Sequence, residues 1–316
     1  MSVEISVIFS FYNEEKNILE LLNRCRKSLS AFEGNYELIF VNDNSKDASL
    51  NLLLKEVAKG DVKIINMSRN FGVAECVLAG FQYSSGFLVI YMDTDLQDPP
   101  ELIPELIQKW KENPDADVIY TARKSRMGEN PIKMLVTKLG YRLMKSLYDV
   151  EIPIDAGDFK LLTRRAVNEV LKMNEQKPFI RGMIAYIGFK QIPVYYDRET
   201  RYGGDTHFPA FGKKVIFNAL ERALISYSDI PLKISLFVGF FISALSFLYL
   251  IAVIIMKFLG WNLPGWSAIM ATMLILGGIQ LFTMGVMGLY ITNIFHQTKN
   301  RPLYIVKDTY GFNKQE

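Results

Sequence analysis

Two aspartates one residue apart, Asp93 and Asp95, follow the apolar run Phe87-Leu88-Val89-Ile90-Tyr91-Met92 and precede Pro99-Pro100. Carboxylates at i and i+2 of an extended chain project to the same side, so both can reach one ion. Hard divalent cations take oxygen ligands, and Mg²⁺ in particular is held by one or two carboxylates plus substrate phosphates. Such an ion would neutralise a diphosphate leaving group. An isolated Asp-x-Asp is also a common solvated turn. Its place after a buried strand and before a Pro-Pro helix start favours metal binding here.

Other clusters admit two readings each. Asp43 in Asn42-Asp43-Asn44-Ser45 either caps a turn or accepts hydrogen bonds from a nucleotide base or ribose. Tyr12, Asn13 and Glu14 either cap a helix or line the same site. Asp155 and Asp158 flank Gly157, as surface turn residues or as groups facing a substrate. Arg123 and Arg126, with Lys133 and Lys138, form one basic stretch, and Arg198 and Arg201, near His207, form a second. Each is a solvated loop or a phosphate-binding one, since Arg grips phosphate bidentately. Two cationic loops beside a bilayer suit an anionic substrate presented by lipid.

The elements that must position these residues alternate along the chain. Strand-like runs at 5–10, 36–41, 62–67 and 87–92 are separated by helical spacing over 14–29, from a Ser45 or Asp47 cap through 59, and over about 73–84. A helix over 101–112 and a strand at 117–120 follow, then a Gly- and Pro-punctuated loop and a helix over 137–147. Residues 155–159 read as a tight turn leading into another helix, 192–196 as a strand, and 198–208 as a loop. Alternation of this length predicts an α/β fold, a mostly parallel sheet with helices on both faces. Ligands of such sheets bind beyond the carboxyl ends of the strands. Four successive ends here are polar: Tyr12-Asn13-Glu14, Asn42-Asp43-Asn44, Ser68-Arg69-Asn70 and Asp93-Thr94-Asp95.

Hydrophobic residues make up 50% of the 316, with the excess concentrated after Pro231. Residues 209–229 read as an amphipathic helix lying in a headgroup layer. Charge-free apolar stretches at 234–256 and 263–295 exceed the roughly 20 residues needed to span a bilayer. The alternative is a pair of buried core helices. Lys213, Lys214, Arg222 and Lys233 precede the first stretch and Lys299, Arg301 and Lys307 follow the second, whereas the hairpin carries Lys257 alone. That asymmetry predicts both termini in the cytoplasm of a multi-pass inner-membrane protein. The expected organisation is a catalytic domain over 1–208, the interface helix over 209–229, a two-helix transmembrane hairpin over 230–296 (helices at about 234–256 and 267–295) and a cytoplasmic tail over 297–316. Gly277, Gly278, Gly285 and Gly288 offer small-residue surfaces for a homo-oligomer or for packing within the hairpin. A net charge of +3 predicts no nucleic-acid partner. Cys25 and Cys76 fit neither a disulfide framework nor a metal pattern.

In order along the chain stand Ser10-Phe11-Tyr12-Asn13-Glu14-Glu15, the 41–47 turn, Ser68-Arg69-Asn70-Phe71-Gly72, Asp93-Thr94-Asp95-Leu96-Gln97-Asp98-Pro99-Pro100-Glu101 and Asp155-Ala156-Gly157-Asp158-Phe159. Together they resemble the inverting GT-A glycosyltransferases that act on polyprenyl phosphates, related to dolichol-phosphate mannose synthase. With two C-terminal spans the chain is most similar to bacterial bactoprenol glucosyltransferases. The resemblance implies that Tyr12, Asn13, Glu14, Asp43, Arg69 and Arg201 hold the nucleotide sugar. Asp93, Asp95 and Gln97 would hold Mg²⁺ or Mn²⁺, with Asp95, Asp158 and Asp155 in catalysis. Arg123, Arg126, Lys138, Arg198 and His207 would grip the acceptor phosphate. Two departures stand out: Asn42 occupies a position where aspartate is common, and Asp205-Thr206-His207 replaces a Glu/Lys-Ser-Lys type pattern. The implied reaction moves a hexose, glucose from UDP-glucose first, onto undecaprenyl phosphate. The rivals are a processive polysaccharide synthase and a non-catalytic nucleotide-sugar-binding membrane subunit.

Overall fold

A computed structural model describes residues 3–123, 156–197, 230–259 and 265–312, and the chain divides into two units. The first unit is built on one sheet of eight strands in the order β7-β5-β6-β4-β1-β2-β3-β8. These are β1 (Ile5–Phe11), β2 (Tyr36–Asn42), β3 (Val62–Met67), β4 (Leu88–Asp93), β5 (Val118–Arg123), β6 (Ala156–Thr163), β7 (Gln191–Tyr196) and β8 (Val306–Tyr310). The β1–β2, β1–β4, β2–β3 and β5–β7 pairs are parallel; β6 is antiparallel to β4 and β5, and β8 to β3.

All seven residues of β1 are buried, because helices cover both faces of the sheet. Val7 and Phe9 pack with α1 (Ile18–Leu29), α2 (Ser49–Glu56) and α4 (Ile103–Glu112) on one face. Ile8 packs on the other with α3 (Val73–Tyr83), α5 (Arg164–Lys172) and α6 (Ile180–Tyr186). The α3–β1 approach is close: a Cβ on Gly80 would stand 2.3 Å from Ile8 Cγ2.

Four expectations are corrected. Residues 156–163 form β6 rather than a turn, because Phe159 and Leu161 bury on one face while Lys160 and Leu162 bury on the other. The second helix starts at Ser49 with Ala48 at its N-cap. Ser45 Oγ and Asp47 Oδ2 accept hydrogen bonds from the main-chain N–H groups of Asn13 and Glu15, both at 3.0 Å, while Asp47 Oδ1 also accepts from Ser49 N at 3.1 Å and so serves the helix start as expected. The first helix begins at Ile18, after a turn in which the Glu14 carbonyl accepts from Asn17 N (3.0 Å) and Ile18 N (3.1 Å). The segment expected to be a plain tail supplies β8 and belongs to the sheet unit.

At the amino ends of the strands, Glu37 is 2% exposed and carries a dense polar network. Lys63 Nζ and Ser6 Oγ each donate to it at 2.5 Å, and Ser85 N donates at 2.8 Å. Burial pushes its carboxyl up, but the bonds from Lys63, Ser6 and Ser85 together outweigh burial and hold it below its ordinary value. A depressed carboxyl contributes stability that is present above its unfolded-state pKa and is lost as pH falls through the folded value. Glu37→Ala is expected to destabilise the sheet unit by about 3 kcal/mol at pH 7, since it leaves buried donors unpaired. Thermal melts should show the gap to wild type narrowing below about pH 4.3, the ordinary glutamate value. A gap that is constant with pH would refute the ionic origin.

The second unit contains α7 (Ile230–Phe258) and α8 (Trp266–Thr298). Leu232–Met256 and Ile275–Thr298 are long and apolar enough to cross a membrane, and neither window is buried within the chain. That exposure runs against the core-helix alternative. Among the described residues, nothing lies within 4 Å of where a Cβ would stand on Gly277, Gly278, Gly285 or Gly288. The interface helix expected at 209–229 lies outside the described residues.

Candidate active site

The carboxyl ends of β1, β2, β3 and β4 lie side by side, as parallel pairing from the same register requires. β6 runs the other way, so its amino end joins them. Tyr91 of β4 pairs with Lys160 of β6, which brings Asp93 and Asp158, each two residues nearer the edge, to neighbouring strand ends on one face. β5 ends in Arg123, opposite Tyr196 of β7, at the same edge.

The turn after β4 is held in a costly shape. Leu96 has φ 58° with a fully buried side chain, Gln97 N donates to Asp95 Oδ1 at 3.1 Å, and Thr94 Oγ1 donates to the Ser10 carbonyl at 3.3 Å. A left-handed leucine persists only where its surroundings over-determine it, and such strain gathers at functional sites. Asp98, 3% exposed, accepts from the Tyr196 hydroxyl, which ties this turn to β7.

Charge at this edge is unbalanced. The Asp93 carboxyl is pushed up to about 8, first by burial and then by Asp158, Asp95 and Asp98, with Arg181 offsetting them only in part. Arg181 on α6 forms a two-pronged pair with Asp158, its Nε donating to Oδ1 at 2.6 Å and its terminal nitrogen to Oδ2. Burial also pushes the Lys160 ammonium down to about 8, against the pull of Asp158. The Tyr91 hydroxyl is buried with no hydrogen-bond partner among the described residues. A surplus of carboxylate in a half-buried edge fits a hard divalent cation. Among the described residues no three acidic, histidine or cysteine side chains form a complete cage for one. The donor set matches an ion that also takes phosphate oxygens.

On the other side, Asp43 is 5% exposed, and its carboxylate accepts from Phe71 N at 2.7 Å and Gly72 N at 3.0 Å. It therefore grips the loop opening α3 rather than capping its own turn, and a carboxylate retains lone pairs for a ligand. Arg69 in that loop stacks on Phe71, 3.9 Å from the ring centroid. Tyr12 is half-buried and Asn13 has φ 56°. Glu14 is buried; its N–H donates to Ser49 Oγ at 3.0 Å and its carboxylate accepts from Asn17 Nδ2 at 2.5 Å.

The edge thus brings together Tyr12, Asn13, Glu14, Asp43, Arg69, Asp93, Asp95, Gln97 and Asp158, with Arg123 ending the strand beyond β6. Arg126, Lys138, Asp155, Arg198, Arg201 and His207 lie outside the described residues. Sequence reasoning missed Arg181, Tyr196 and Lys160. Arg181 and Tyr196 sit outside any motif, and Lys160 follows the expected 155–159 turn, where a helix rather than a strand is expected.

Residues 6–171 match the model of glycosyl transferase family 2. The chain belongs to this family. YkcC of Bacillus subtilis (strain 168), an uncharacterized glycosyltransferase, is 39% identical over 315 residues, covering 99% of this chain and 96% of that one. The bactoprenol glucosyl transferase of Shigella phage SfII is 32% identical over 314 residues, covering 98% and 100%. Among solved structures, glucosyl-3-phosphoglycerate synthase from Mycobacterium tuberculosis is similar with a TM-score of 0.46 at 20% identity, covering 70% of this chain and 80% of that one. That likeness is too distant to speak to substrate or metal. The protein is a glycosyltransferase, and its sheet unit has the GT-A fold.

Proposed function

We propose that this family 2 glycosyltransferase moves a hexose, glucose from UDP-glucose first, onto a polyprenyl phosphate at a membrane surface. The supporting observation is full-length similarity to bactoprenol glucosyl transferases combined with an edge that gathers Asp43, Asp93, Asp95 and Asp158. Asp93, Asp95 and the Gln97 amide oxygen would hold one Mg²⁺ or Mn²⁺, which supplies charge neutralisation at the donor diphosphate when bound. Asp43, the Tyr12-Asn13-Glu14 turn and Arg69 bind the nucleotide, joined by Arg201. Arg123, Arg126, Lys138, Arg198 and His207 bind the acceptor phosphate, and Asp155 and Asp158 serve the reacting sugar.

An acceptor phosphate oxygen attacks the anomeric carbon from the face opposite the diphosphate. The new C–O bond forms as the bond to the diphosphate breaks, and the diphosphate leaves with the electron pair. The nucleophile is ionised at neutral pH, so no proton has to be removed and no strong general base is needed. The side chains act by positioning and by charge. Asp158, aimed by Arg181, orients the sugar and steadies positive charge developing at its ring.

The membrane reading rests on α7 and α8. A chain that leaves the sheet before α7 and returns to the same sheet as β8 crosses any bilayer between them an even number of times. On that reading α7 and α8 are the two crossings, residues 1–208 and 297–316 share one side, and the basic flanks support the cytoplasm as that side.

The test is transfer of radiolabelled sugar to undecaprenyl phosphate by purified protein with Mg²⁺ or Mn²⁺, across UDP-glucose, UDP-galactose, UDP-N-acetylglucosamine and GDP-mannose. A metal-dependent lipid product from UDP-glucose is expected. Folded protein that gives no lipid product from any of the four would overturn the reading.

A further inference from the structure

A line of hydrogen bonds crosses the nucleotide side of the edge from β8 to β1. Asn66 Nδ2 donates to Asp308 Oδ2 at 3.2 Å, and Asn42 Nδ2 donates to Asn66 Oδ1 at 2.9 Å. Ser45 N donates to Asn42 Oδ1 at 2.9 Å, Asn13 N to Ser45 Oγ at 3.0 Å, and Lys46 N to Asn13 Oδ1 at 2.8 Å. Asn42 is 1% exposed and Asn66 is 7% exposed, so water cannot readily replace a lost partner.

The two ends of this line set its direction. A carboxylate only accepts and a main-chain N–H only donates, whereas each asparagine amide can face either way. Asp308 therefore obliges Asn66 to turn its nitrogen toward β8 and its oxygen toward Asn42. Asn42 must then give its nitrogen to Asn66 and keep its oxygen for Ser45. The turns so fixed are strained: Asn13 has φ 56° and Asn44 has φ 61°, with Asp43 between Asn42 and Asn44.

The strand carrying Asp308 is itself firmly attached. Ser68 N donates to the Ile305 carbonyl at 2.9 Å, next to Arg69. The Tyr304 hydroxyl donates to Gln82 Oε1 at 2.8 Å, and Phe312 meets Tyr83 edge-on at 5.5 Å.

We propose that Asp308, on the strand after the long helices, is a positioning residue of the donor site: it sets the direction of the Asn66–Asn42–Ser45 line and so holds the Asp43 and Asn13 turns in shape for a nucleoside diphosphate. This rests on the nucleotide reading of that edge given above. It also accounts for an amide at position 42. An aspartate there could still accept from Ser45, but Asn66 would have to turn its nitrogen to it and leave its oxygen facing the Asp308 carboxylate.

The consequence is a rescue that depends on direction. Asn42→Asp is expected to weaken UDP binding by about tenfold, because the buried Asn66 oxygen is forced against the half-buried Asp308 carboxylate. Adding Asp308→Asn supplies a donor to the turned Asn66 and restores most of that affinity. The same Asp308→Asn change in an otherwise wild-type chain brings no gain. UDP binding with Mn²⁺ is measured by titration calorimetry on the full chain in detergent, well below every variant's melting temperature, with melts run in parallel. An Asn42→Asp protein that binds like wild type, or one that Asp308→Asn does not rescue, overturns the proposal. A rescue seen in the melts and absent from the affinities reduces Asp308 to a structural residue and overturns the positioning role. If wild type binds no nucleotide, the donor reading fails and the positioning role with it, while the melts still report separately on the line.

Discussion

Asp95→Ala is expected to abolish sugar transfer, lowering turnover by about 10³-fold or more, while the protein keeps its melting temperature. Removing one preorganised charge contact at a reacting group costs about 10²–10³-fold, and losing a metal-held leaving group costs at least as much. The fold should tolerate the change, because the Asp95 carboxylate is half-buried and braces Gln97 within its own turn. The turn keeps its anchors through Thr94 and the Asp98–Tyr196 bond. Transfer assays with raised Mg²⁺ or Mn²⁺ decide the matter: activity that persists in Asp95→Ala removes this residue from the ion's ligands.

Arg181→Gln should move two quantities in opposite directions. Arg181 is a cation that partly offsets the Asp93–Asp95–Asp98–Asp158 group, and its charge is felt at Asp93. Without it the edge is more negative, so apparent Mn²⁺ affinity should rise by about tenfold, as one unit charge at short range in a partly screened site allows. Turnover should nevertheless fall by about 10²-fold, because Asp158 loses the two-pronged contact that aims it. Manganese titrations and single-turnover transfer on the same preparation read both effects. Unchanged Mn²⁺ affinity together with lost turnover would leave Arg181 as a brace without an electrostatic part.

The legible portion of the site is the portion that follows the period of the backbone. Asp93 and Asp95 stand after an uninterrupted apolar run, and the structure ends β4 at Asp93 as that run requires. Asp43 stands likewise at the end of β2. Composition separated the apolar α7 and α8 from the rest of the chain. The 156–163 strand was not legible, since its Gly157 and two acids around a glycine imitate a turn. Its extended form comes from pairing with β4 and β5 on both sides, a tertiary fact. Local spacing also could not anticipate where loop side chains would go: Ser45 has good capping chemistry yet braces the turn after β1, and Asp47 divides its two oxygens between that turn and the helix start. Arg181 was out of reach because its partner lies 23 residues away across a different element. The tail strand was hidden for the same reason, as Val306–Tyr310 has little meaning apart from the edge of β3.

That last pairing bears on how the protein is made. Asn66 and Asp308 are 242 residues apart, and everything in α7 and α8 is synthesised between them. The entropy of closing so long a loop, and the delay of translating it, make the β3 edge the slowest part of the sheet to acquire its neighbour. During that interval β3 presents unpaired main-chain groups, which is the arrangement that recruits strands from other molecules. Biogenesis therefore has a defined weak moment, in which the long helices are already made while the sheet is still one strand short. Chains interrupted there should aggregate through β3.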